Sequence, residues 1–118
     1  MTEQNVTWLT LREVGEALNV SQREVRSMLR DLRLLATRRT EGGDLMVDSR
    51  MLVEKDGAVI PLPSMRGTLT MLKDSGYNDA EAQGWLLRED LELGTTPMQA
   101  LLDGKTHAVR RVIAGLAF

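Results

Sequence analysis

The sequence predicts a mainly α-helical protein with a small β element, and three observations carry that reading. Two short stretches place apolar residues at helical spacing behind capping residues. A Gly-Gly turn between two β-prone runs follows them, and the second half is punctuated throughout as short helices.

The first helix is announced by Thr10-Leu11-Arg12-Glu13, a capping box in which the hydroxyl caps the first turn and the acid reaches back. Leu11, Val14, Ala17 and Leu18 then fall on one face, and Asn19 tolerates the left-handed backbone that ends a helix. A second box, Ser21-Gln22-Arg23-Glu24, opens a helix with Val25, Met28, Leu29 and Leu32 inward. Only Asn19-Val20 separates the two, which is the spacing of a helix-turn-helix. Gly15, four residues before the turn, stands where the helices approach closely. An ordinary helical hairpin would show most of this pattern, so the outward face decides between them.

Residues 20–40 hold six arginines (Arg23, Arg26, Arg30, Arg33, Arg38, Arg39) against two acids, although the whole chain has a net charge of −2. With Gln22 at zero and about 100° per residue, Arg33, Arg26, Arg30 and Arg23 fall between about 20° and 100°. The apolar residues fall between about 240° and 340°. Like charges at spacings of three and four cost stability unless anions lie against them. Arginine rather than lysine throughout favours forked contacts to phosphates or guanine edges.

Leu34–Arg39 and Leu45–Val47 flank Thr40-Glu41-Gly42-Gly43-Asp44, a hairpin that would form a wing carrying Arg38 and Arg39. Asp48–Leu52 reads as a helical turn, and Lys55-Asp56-Gly57 with Ala58-Val59-Ile60 as a further strand closing the wing sheet. The segment Pro61-Leu62-Pro63 then separates a first domain, residues 1–62, from a second, residues 63–118. In the second, Ser64 caps a helix burying Met65, Leu69 and Leu72 that Gly76 stops. Asn78 to Glu81 opens the next, burying Ala82, Trp85 and Leu86. Thr96-Pro97 opens another, closed by Gly104. Val109, Val112, Ile113 and Leu116 form the last, with Phe118 as a terminal plug. The fold class expected is therefore a winged helix-turn-helix followed by a C-terminal helical bundle.

Taken together, these residues resemble a small family of actinobacterial winged helix-turn-helix DNA-binding proteins, whose mycobacterial member is a Ser/Thr protein kinase substrate. The most distinctive stretch is Leu69-Thr70-Met71-Leu72-Lys73-Asp74-Ser75-Gly76-Tyr77-Asn78-Asp79 with Trp85-Leu86 after it. The resemblance implies a transcription regulator that touches double-stranded DNA with its second helix and wing. It also implies a kinase partner, for which the short lead offers only Thr2 and Thr7. Separately, Trp85-Leu86 with Leu93-Gly94-Thr95-Thr96-Pro97 is similar to the toxin-binding domain of some antitoxins, which implies a protein partner for the C-terminal helices.

On this reading Gln22, Arg23 and Arg26 face base edges in the major groove, and Ser27 is a further DNA contact on the same helix. Arg30 and Arg33 meet phosphates, and Arg38 and Arg39 the backbone or minor groove. No catalytic or cofactor constellation accompanies them. With no cysteine and one histidine, His107, disulfides, thiolate metal sites and cysteine nucleophiles are excluded. The chain has 118 residues, 42% hydrophobic and 27% charged, a composition of soluble globular proteins. No apolar run approaches the roughly 20 residues of a membrane span, and no secretory signal is visible. A cytoplasmic, nucleoid-associated protein is expected.

Overall fold

The computed structural model describes residues 6–116, so Thr2 and Phe118 lie outside the described residues. The chain divides between Pro63 and Ser64 into two compact units.

The first unit opens with strand β1 (Trp8–Thr10), where the sequence suggested only a polar lead. Helix α1 (Leu11–Leu18) follows directly, its capping box complete. Thr10 Oγ1 accepts from Glu13 N at 3.1 Å, and Thr10 N donates to Glu13 Oε1 at 2.8 Å. Asn19 ends the helix at φ 61°, with Val20 N donating back to Gly15 O at 2.9 Å. Helix α2 (Gln22–Arg30) begins behind Ser21, whose hydroxyl accepts from Glu24 N at 3.1 Å.

Between the helices Val14, Val25 and Met28 are buried, and Leu18 and Val20 are half-buried. Ala17 is exposed, because at about 100° per residue it falls outside the arc that Leu11, Val14 and Gly15 bury. Gly15 does what its position suggested: a Cβ there would stand 2.9 Å from Val20 O, closer than any side chain tolerates.

Strands β2 (Ala36–Arg38) and β3 (Leu45–Asp48) form the wing hairpin, shorter at its start than the sequence suggested. Leu34 and Leu35 instead lie in the core at 1% and 3% exposure. The wing sheet is completed by β1, in the order β1-β3-β2, with Leu9, Val47 and Ala36 in one antiparallel row. A 3-10 turn (Ser49–Met51) matches the expected helical turn. Strands β4 (Leu52–Lys55) and β5 (Ala58–Pro61) pair only with each other, so the second hairpin does not close the wing sheet. Its turn holds Asp56 at φ 52° and Gly57 at φ 84°, two left-handed residues in succession, as a twisted two-residue hairpin requires.

The second unit holds helices α3 (Met65–Asp74), α4 (Asp79–Leu87), α5 (Pro97–Leu102) and α6 (Thr106–Ala114). Leu69, Leu72, Leu86, Met98, Val109 and Ile113 are almost fully buried, and Trp85 is 5% exposed. Asn78 makes a full capping box with Glu81, and Thr96 caps α5 ahead of Pro97. Gly76 and Gly104 stop their helices at φ 96° and 80°. Ser64 does not cap α3: its backbone is already helical, and its hydroxyl makes no capping bond. The N-cap oxygen needs an extended backbone to reach forward, which Ser64 lacks.

Candidate nucleic-acid interface

The surface of α2 is divided as its sequence dictates. Val25 and Met28 point into the core, while Gln22, Arg23, Arg26 and Arg30 are exposed and Ser27 is half-buried at the border. Among the described residues, no acid forms an ion pair with Arg23, Arg26 or Arg30. Three guanidinium groups thus stand on one arc of a nine-residue helix without internal neutralisation.

Arg33 does not share that arc. The helix stops at Arg30, and Leu32 adopts φ 62°. Arg33 N donates to Met28 O at 2.9 Å and Leu32 N to Leu29 O at 3.2 Å, the paired closure that turns a chain out of a helix. Arg33 therefore lies beyond the helix end and is half-buried, and the helical angle assigned to it does not apply. Leu32, also past the helix end, and Leu29, inside the helix, are half-buried rather than core.

On the wing, Arg38 donates from Nη1 to Gly43 O, bracing the turn from the outside. Arg39 lies over the Trp8 ring, 4.0 Å from its centroid. Both side chains remain exposed.

The helices and the wing enclose an open cleft of about 300 Å³. Gln22 and Arg26 line it from α2, Arg38 and Asp44 from the wing, and Arg12 from the start of α1. The cleft thus gathers three arginines, from three elements, with one glutamine and one acid. Arg12 was not among the expected contacts. It pairs with Glu16 at 3.4 Å, an ordinary i,i+4 contact, and nothing in its sequence context sets it apart as part of this cleft. Thr7 is exposed, and its carbonyl accepts from Ser49 N at 2.9 Å, continuing the β1 pairing.

Both units have counterparts among known proteins. Residues 1–52 match the family model described as DNA-binding protein Rv2175c, wHTH domain. Residues 62–117 match that described as Rv2175c C-terminal domain of unknown function. The chain belongs to the Rv2175c family. A curated relative, DNA-binding protein Rv2175c of Mycobacterium tuberculosis, is 36% identical over 99 residues, 84% of this chain. The chain spans 61% of that relative's length. The NMR structure of Rv2175c superposes with a TM-score of 0.82 at 26% identity, covering 100% of this chain and 86% of that one.

The fold is thus a winged helix-turn-helix with a helical C-terminal unit, the fold class the sequence predicts. Among the described residues no helix is long and apolar enough to cross a membrane. No group of three or more His, Cys, Asp or Glu among them could hold a metal ion.

Proposed function

We propose that this chain binds double-stranded DNA with sequence preference and acts in transcription regulation. The unit preceding Pro63 does the binding, with the N-terminus of α2 in the major groove. Gln22, Arg23, Arg26 and Ser27 meet base edges there, and Arg30 meets phosphate. Arg33 flanks the helix end, and Arg38 and Arg39 approach the backbone from the wing.

The observation that carries this reading is the unpaired arc of Arg23, Arg26 and Arg30 opposite a buried Val25 and Met28. Three like charges at helical spacing repel one another in the free protein, and a polyanion removes that cost. The name of the relative, a DNA-binding protein, supports the same reading. A cytoplasmic location at the nucleoid follows from such a partner.

Selection from a random duplex pool, followed by gel shift of the winning site at several salt concentrations, tests the proposal. Enrichment of a defined site and steeply salt-dependent binding are expected. No retardation of any duplex at low salt would overturn it.

Regulation by a Ser/Thr kinase fits the exposed Thr7, next to Trp8 and its stacked Arg39. A phosphate there adds about two negative charges beside the cationic face and would weaken DNA binding. Unchanged affinity of a Thr7-phosphorylated sample would remove this part.

A second reading concerns the C-terminal helices as a protein-binding module. Leu91 favours it, a large apolar side chain fully exposed on a loop that Asp90 locks through bonds to Glu92 N and Leu93 N. Capture of a partner by the full chain but not by Leu91→Asp would support it.

A further inference from the structure

Asp44 is out of place in a cleft built only for phosphates. It lines the same recess as Arg12, Arg26 and Arg38, yet it forms no ion pair among the described residues. Arg12 pairs with Glu16 instead, and Arg38 with the carbonyl of Gly43. Nor does Asp44 cap or brace the wing turn, which closes through Gly43 N on Thr40 O at 3.0 Å. It is an exposed carboxylate with no internal task, set among guanidinium groups that a DNA backbone would seek.

A carboxylate weakens any site whose ligand is phosphate alone. Base edges are different, because the major groove displays donors as well as acceptors. Guanine offers O6 and N7 to an arginine fork, adenine suits the amide of a glutamine, and cytosine offers its N4 amino group to a carboxylate. Gln22 and Arg26 supply the first two kinds of contact, and Asp44 is the one acceptor-only side chain lining the cleft. The set is mixed in the way a base-reading surface is mixed.

We infer that Asp44 is a specificity-determining residue, which accepts a hydrogen bond from the exocyclic amine of a cytosine while repelling the phosphates of unmatched duplex. This rests on the DNA-binding reading above and brings Asp44, which shares its recess with Gln22 and Arg26 of α2, to the major-groove edge that the helix reads, while Arg38 and Arg39 keep to the backbone. The same carboxylate acts twice: it gains a partner on the right sequence and opposes the backbone on all others. Discrimination built from attraction and repulsion together exceeds what either gives alone.

The experiment is selection from a random duplex pool with the full-length wild type and with Asp44→Ala, each winning site then measured by gel shift. Thermal melting first confirms that the variant is folded. The wild type is expected to select a site with a fixed C·G pair at one position that the variant no longer selects. Replacing that pair should cost the wild type about fivefold or more in affinity and the variant little. Random duplex should bind the variant more tightly than the wild type. Identical selected sites with identical discrimination would overturn the inference while leaving DNA binding intact. A wild type that binds no duplex would overturn both.

Discussion

The Arg39 guanidinium stacks 4.0 Å above the centroid of the Trp8 ring, tying the turn after β2 to the strand that opens the fold. The contact gives Trp8 a different role from the helix staple its position before Thr10 suggests. It also holds a wing arginine in one orientation before any ligand arrives. An exposed cation–π pair of this kind contributes about 0.5–1 kcal/mol. A double-mutant cycle of Trp8→Leu and Arg39→Ala, followed by circular dichroism in urea, should return a coupling of that size. A coupling indistinguishable from zero would mean the stacking adds nothing to stability.

Arg26 and Arg30 stand one turn apart on α2 but should respond differently to substitution. Arg26 lines the cleft between helix and wing, whereas Arg30 is the last helical residue. If Arg26 forks onto a guanine, Arg26→Ala should weaken a preferred site by about 1–3 kcal/mol and random duplex far less. Arg30→Ala should weaken both alike and lower the magnitude of the log–log salt slope by about 1. For contacts to about five phosphates, the wild-type slope should lie near −4.5. Equal behaviour of the two variants would assign both side chains to the backbone.

Much of this architecture was legible because short-range chemistry decides it. The Thr10–Glu13 box, the Ser21 cap, the Asn19 turn and the Asn78–Glu81 box are each fixed by residues within one helical turn. What escaped was decided elsewhere. Leu32 ends α2 in a left-handed conformation that normally costs a branched residue about 1–2 kcal/mol, so nothing in its identity marks a stop. The closure is made by Met28 and Leu29 carbonyls and by the descent of Leu34 and Leu35 into the core. Likewise β1 is only three residues long and exists because β3 offers it a free edge. The cleft was partly visible: Gln22, Arg26 and Arg38 were expected on one surface, but Arg12 and Asp44 join them only through the wing's fold over α1.

Two glycines inside helices should respond oppositely to alanine. At Gly15 the new Cβ would meet the Val20 carbonyl at 2.9 Å, a backbone atom that cannot step aside without opening the turn. Overpacking of this kind costs about 1–3 kcal/mol, and the angle between α1 and α2 should shift with it. At Gly84, exposed within α4, a Cβ meets nothing within 4 Å. Gly84→Ala should therefore stabilise the second unit by about 0.5–1 kcal/mol through backbone entropy. Thermal melting of the two variants checks both signs. A destabilised Gly84→Ala protein would show that the open space is needed by the fold.

The strongest stability effect is expected at Asp48, whose side chain is fully buried at the end of β3. One carboxylate oxygen accepts from Arg50 N at 2.9 Å and Arg50 Nε at 3.1 Å, and the other from Arg50 Nη2 at 2.8 Å. It thus caps the 3-10 turn and neutralises a guanidinium that is itself only 19% exposed. The sequence marks Asp48 merely as a loop-end acid, because an Asp before Ser looks alike whether it faces water or core. Deleting the carboxylate removes these hydrogen bonds and the buried ion pair together, a loss of about 3–5 kcal/mol. Asp48→Ala should therefore unfold the first unit at much lower urea, followed by Trp8 fluorescence in a Trp85→Phe background. Asp48→Asn, which keeps one acceptor for Arg50 N, should lie between the two. Should Asp48→Ala melt with the wild type, water reaches the pair, and its hold on the wing is no stronger than that of a surface ion pair.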